Sequence, residues 1–97
     1  MIIRGIDHNQ NVVVCDGSEM LHDFDGLMFT YHGTTFKCNY DDNDETHIKW
    51  MITRRKYGGE PVVYYVNLLI NKAVDTTVDD MYYYILSDCC DDNGVIK

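Results

Sequence analysis

Proline occurs once in this 97-residue chain, as Pro61, so nearly every backbone N–H is available to a helix or a sheet ladder. No apolar run approaches the roughly 18–20 residues of a bilayer-spanning helix, which argues against an integral membrane protein. The opening Met1-Ile2-Ile3-Arg4-Gly5-Ile6-Asp7 has neither the basic segment nor the long apolar core of a secretory leader. The expected setting is therefore a reducing compartment, where structural disulfides are rare. The four cysteines, Cys15, Cys38, Cys89 and Cys90, include no C-x(2–4)-C pair for zinc. Neighbours such as Cys89 and Cys90 make a strained ring when bonded, so buried free thiols are expected.

Catalytic motifs are missing as well. Tyr57-Gly58-Gly59-Glu60 lacks the Lys-Ser/Thr that completes a phosphate loop. Asp41-Asp42-Asn43-Asp44-Glu45 begins like a calcium loop, but Thr46 stands where glycine is needed and Ile52 where the bidentate glutamate is needed. Asp7-His8 and His22-Asp23-Phe24-Asp25 are fragments of the ligand sets used by metal-dependent hydrolases, which draw three or four ligands from several elements. The expectation is a protein that is not an enzyme, with no metal and no cofactor.

What the chain does have is the composition of one ordinary globular domain spanning residues 1–97, with 45% apolar and 25% charged residues. A domain of this size buries about 60–65% of its unfolded surface, so its core is modest. Ile2, Ile3 and Ile6 and the run Val12-Val13-Val14-Cys15 flank His8-Asn9-Gln10-Asn11 and predict a hairpin. A single helical turn is expected near Ser18–His22. Leu27–Tyr31 and Thr34–Tyr40 predict a second hairpin around His32-Gly33, followed by a solvated loop at 41–45. From His47 to Arg54, Ile48, Trp50 and Ile52 share one face of a strand.

Residues 62–70 fit either a strand or a helix with an apolar stripe, and their β-branched and aromatic density favours the strand. The last element is a helix near 77–91. Thr76 and Thr77 each precede an aspartate by three residues, and Val78, Met81, Tyr82, Ile85, Leu86 and Cys89 fall on one stripe. Gly94 is expected to close it. The fold class is α+β: an antiparallel sheet of five to six strands with one C-terminal amphipathic helix packed on it.

Charge carries most of the functional information. Sixteen acids stand against eight bases, for a net charge of −8, and thirteen of the acids are aspartate. Residues 41–45 hold four acids and no base; residues 75–92 hold six and no base. Half of the bases lie between Lys49 and Lys56. Asp79 and Asp80 favour a helix N-terminus, but Asp88, Asp91 and Asp92 oppose the dipole at the other end. Asp80 and Asp88, with Tyr84 between them, recur on one outward helix face at steps of ~5–6 Å. Asp42 and Asp44 in extended chain stand about 6–7 Å apart. Duplex DNA carries one backbone charge per ~1.7 Å of axis, so rows of carboxylates suit a groove built for that backbone. Tyr83 and Tyr84 beside these acids have the composition of an interface.

In size, charge and composition the whole chain resembles the small acidic inhibitors of phages and mobile elements, the anti-CRISPR proteins and other DNA mimics. No family motif is shared, so no family site is carried over. The resemblance implies stoichiometric, non-enzymatic inhibition in the host cytoplasm. The implied partner is a basic host protein, a nucleic-acid-processing or CRISPR effector enzyme whose nucleic-acid-binding surface is occupied. The candidate contact residues are Asp41, Asp42, Asp44, Glu45, Asp80, Tyr83, Tyr84, Asp88, Asp91 and Asp92, with no direct contact to nucleic acid or membrane. The alternative is a structural or assembly module, a possible homodimer, in which the Arg54-Arg55-Lys56 edge of one copy meets the acidic helix of another.

Overall fold

Alternation of apolar and polar residues, with tight turns between runs, folds into one antiparallel sheet. The computed structural model describes residues 2–97. Its strands are β1 (Arg4–Ile6), β2 (Val12–Val14), β3 (Gly26–Tyr31), β4 (Thr34–Asn43), β5 (His47–Lys56) and β6 (Val62–Leu69). They lie in the order β2-β1-β3-β4-β5-β6. A 3₁₀ turn (Leu21–Asp23) joins β2 to β3, and the chain ends with the one-turn helix α1 (Ile70–Ala73) and the twelve-residue helix α2 (Val78–Cys89). This is the expected α+β arrangement of a sheet and one packed helix. No helix among the described residues is long and apolar enough to cross a membrane.

Turn chemistry explains the hairpins. His32 and Gly33 both take positive φ, 47° and 77°, as a two-residue turn matched to sheet twist demands. Between β1 and β2 the Asp7 carboxylate accepts the N–H groups of Asn9 and Asn11, each at 2.9 Å. Glycine is required at Gly5 for a different reason: a Cβ there would collide with the Cys15 sulfur and the Phe24 ring.

One face of the sheet is the core. Leu27, Phe29, Phe36, Cys38, Trp50, Ile52, Val66 and Leu68 are buried there, and α2 presses Val78, Met81, Tyr82, Ile85 and Cys89 onto them. Phe29 stacks on Phe36 at 4.9 Å and meets the edge of Tyr82 at 4.7 Å. Such pairs add about 0.5–1.5 kcal/mol each beyond the area they bury. The other face has no helix. Cross-strand register places Arg4 beside Met28, Met28 beside Lys37, Lys37 beside Thr53 and Thr53 beside Val63 on it, and Lys49, Met51, Arg55 and Tyr65 share it by alternation.

Several expectations need correction. Residues 41–45 are not a loop: β4 runs through Asp41 and Asp42 to Asn43, with a register shift between Tyr40 and Asp42, and only Asp44–Thr46 turn. The cause is cross-strand pairing, because Asp42 lies opposite Lys49 and Asn43 opposite Ile48. The turn of helix expected at 18–22 forms at Leu21–Asp23 instead. Strand β6 is as expected, but its last predicted residue, Ile70, begins the unforeseen α1.

Helix α2 stops at Cys89, short of 91, and Gly94 does not cap it. Cys90 is already extended (φ −114°, ψ 152°) and bridges to Ile96, while Gly94 serves a turn further on. Asp91 and Asp92 therefore lie past the helix rather than in its last turn. The basic run also divides: Arg54 and Lys56 pair with Phe36 and the buried Thr34 on the helix side, whereas Arg55 alternates to the open face.

Candidate partner-binding surface

The ten acidic and tyrosine candidates fall into three groups, and the fold uses each differently. Helix α2 provides the first. Its capping box fixes the N-terminus: Asp80 N–H donates to Thr77 Oγ1 and Thr77 N–H donates to Asp80 Oδ2, both at 3.1 Å. With the apolar stripe held against the sheet, Asp79, Asp80, Tyr83, Tyr84, Ser87 and Asp88 are left exposed. Tyr83 is 64% and Tyr84 46% exposed, against 8% for Tyr82, so the two outward tyrosines stand among the acids as the helical spacing predicts.

The β4–β5 tip provides the second group, and here the backbone engages Asp42 and Asp44. Asp44 Oδ1 accepts from Thr46 N (2.8 Å), Thr46 Oγ1 (3.1 Å) and His47 N (2.7 Å). These donors, the Thr46 and His47 backbone groups first, hold the Asp44 carboxyl below the usual carboxylate range. Asp42 Oδ1 accepts from Asn43 N at 2.8 Å. Asp41 pairs with Lys49 Nζ at 3.2 Å, and that ammonium also sits 5.2 Å from the Tyr65 ring centroid. Glu45 is exposed at the tip.

The third group is the tail. Asp91 Oδ1 accepts from Asn93 N and Val95 N, both at 2.9 Å, and Gly94 N donates to Asp91 O at 3.0 Å. A structural purpose that helix propensity does not reveal thus accounts for Asp91. Asp92 is exposed.

These groups do not form one continuous patch. Ile70 N donates to Thr46 O (3.0 Å) and Thr76 Oγ1 to Lys72 O (2.8 Å), which ties the β4–β5 tip through α1 to the N-terminus of α2. Asp42, Asp44, Glu45, Asp79 and Asp80 therefore gather at that end. Asp88, Asp91 and Asp92 lie at the other, where Tyr64 Oη meets Cys89 Sγ at 2.8 Å and the Arg54 charge acts on both Tyr64 and Cys90. Composition alone did not single out a hollow between Leu68, Met81 and Tyr84 that also exposes Asp75 and Asp80. Its signal was spacing, since Asp80 and Tyr84 are one helical step apart.

The remaining chemistry-bearing residues lie apart from the acidic surface. His8 Nδ1 meets Asp25 Oδ1 at 2.7 Å, and Gln10 Nε2 donates to Asp25 Oδ2 at 3.1 Å. The fold thus joins two fragments that are distant in sequence, and His22 lines the same hollow. No group of three or more His, Cys, Asp or Glu among the described residues is placed to hold a metal ion. All four cysteines are free. Burial pushes the Cys38 thiol far up and Cys15 to about 11, with Glu19 adding to the latter, the opposite of an activated thiolate.

No known protein family, curated protein or solved structure matches the chain.

Proposed function

We propose that the chain is a non-enzymatic inhibitor, active in the host cytoplasm, that binds a basic host protein. The target is a nucleic-acid-processing or CRISPR effector enzyme, and the acidic surface takes the place of nucleic acid on it. The observation that carries this reading is the outer side of α2, where Asp79, Asp80, Tyr83, Tyr84 and Asp88 are exposed on a helix with no base. Desolvated tyrosines beside charges supply contact area while the charges steer the encounter. Glu45 and Asp42 extend the acidic end, and Asp92 extends the opposite one.

The test is capture from a lysate containing DNA-processing enzymes, with wild type beside a D80N/D88N variant. Expected is one enzyme held by the wild type, released by duplex DNA and by salt, and held less well by the variant. An affinity that stays flat from low to high salt overturns mimicry, as does an enzyme that keeps its DNA while bound.

A second reading, self-assembly, is favoured by one observation. Arg4, Lys37, Lys49 and Arg55, four of the eight bases, stand on the open sheet face, away from α2. That face, rather than the Arg54–Lys56 edge, is the complement to an acidic helix of another copy. A sedimentation profile that remains monomeric at high protein concentration removes this reading.

A further inference from the structure

The two edges of the sheet are unequal. β2 is three residues long, whereas β6 presents eight residues, Val62–Leu69, at the far end of the sheet. Natural edges are blunted by charge, proline, a bulge or a covering element. β6 has no charged residue, no internal proline and an unbroken register with β5.

Its outward hydrogen-bonding groups can be assigned. Ile70 N donates to Thr46 O, and alternation along an antiparallel ladder then directs Leu68, Val66, Tyr64 and Val62 towards β5. The N–H and C=O groups of Val63, Tyr65 and Asn67 and the N–H of Leu69 face outward, while the Leu69 carbonyl opens α1 as its N-cap. The side chains of Val63, Tyr65 and Leu69 are about half exposed, at 49%, 53% and 52%. This edge is a template for one more strand.

The helix beside the edge determines which strand fits. α2 runs antiparallel to β6, since Tyr64 meets Cys89 and Leu68 borders the hollow with Met81, Asp80 and Tyr84. Asp80, Tyr84 and Asp88 follow one another at about 6 Å along the helix. Side chains on one face of a strand repeat every ~6.6–6.8 Å. An added strand with bases at positions i and i+4 on its helix side thus brings them beside the two carboxylates, with position i+2 next to Tyr84. A lysine or arginine stem can lie along Leu68 and Met81 with its head near Asp75 and Asp80, although Lys72 offsets part of that charge. A second copy is disfavoured here, because pairing β6 with itself sets two like-charged α2 stripes side by side.

We infer that β6 captures an extended basic segment of the partner protein by strand addition, with Asp80 and Asp88 selecting bases four residues apart on its helix side and Tyr84 facing the position between them. This rests on the reading of the partner as a basic protein and specifies how it is held.

The probe is the peptide acetyl-(Thr-Lys)4-amide, titrated at low salt beside the same peptide N-methylated at alternate amides. The wild-type chain is expected to bind the plain peptide saturably and the methylated one at least tenfold more weakly. D80N/D88N is expected to lose about tenfold. Asn67→Pro, which removes an outward N–H, is expected to lose binding while its circular dichroism stays native. Equal binding of both peptides, still weakened by salt and by D80N/D88N, overturns strand addition and leaves the acidic surface standing. Binding of neither peptide overturns both. Dimerisation of the protein alone that disappears in Asn67→Pro overturns the proposal in favour of a second copy.

Discussion

The β4–β5 tip and helix α2 both carry acids and no base, four acids in residues 41–45 and three in α2, yet the fold treats them oppositely. At the tip, Asp44 is consumed by three donors and Asp41 by Lys49. On α2, only Asp80 has a capping duty, and its carboxylate accepts one hydrogen bond where Asp44 Oδ1 accepts three. Clustered charge in a sequence is therefore two different things. In a tight turn, a short carboxylate closes the backbone upon itself; on an amphipathic helix whose other side is anchored, it is left facing outward. Availability, rather than density, separates a structural acid from a candidate contact.

The largest effect is expected from the core. Ile85→Ala removes a fully buried anchor of α2 and is expected to cost about 2–5 kcal/mol in urea unfolding. It should abolish the outward stripe with it, while the tip turn loses nothing directly. If stability is unchanged, Ile85 does not anchor α2 to the sheet. Thr77→Ala removes the N-terminal cap and is expected to cost about 1 kcal/mol. Amide exchange in the first turn of α2 should then rise, with the tip amides unaffected.

At the tip itself, Asp44→Ala should speed amide exchange at Thr46 and His47 severalfold and leave binding to a basic partner within about twofold. A loss of binding comparable to that of D80N/D88N would erase the distinction drawn between the two regions. Acid should have the same local effect. Because the Asp44 carboxyl is depressed in the fold, its contribution is intact above the ordinary aspartate pKa of about 3.9 and is lost as pH falls through the lower folded value. The Thr46 and His47 amide shifts should therefore titrate below pH 4. The smallest effect is expected from Lys49→Ala, since an exposed pair such as Asp41–Lys49 is worth about 0–1 kcal/mol and salt should reduce it further.

Much of the fold was legible because it rests on local rules. The His32-Gly33 turn, the alternation of Ile48, Trp50 and Ile52, and the stripe from Val78 to Cys89 each follow from a repeat within one element, and each is present. The errors fall where distant chain decides. Asp41 and Asp42 look like a solvated loop until β5 offers Lys49 across the ladder. Cys90 looks helical until Ile96 returns to bridge it. Asp91 looks like an acid opposing a dipole until Asn93 and Val95 donate to it. Of the candidate surface, the outward Asp80–Tyr84–Asp88 stripe was legible from spacing, whereas its neighbour was not.

By itself the sequence determined the class of the fold, the identity of the buried helix face and the excess of negative charge, because periodicity and composition are properties of the chain. Only the tertiary structure decided which carboxylates remain free and that the basic run is divided between two faces of a sheet. It also placed an uncharged eight-residue edge beside the acidic helix. The reason is physical: strand order, register and the donors available to a side chain depend on pairings between residues far apart in sequence, which no local pattern specifies.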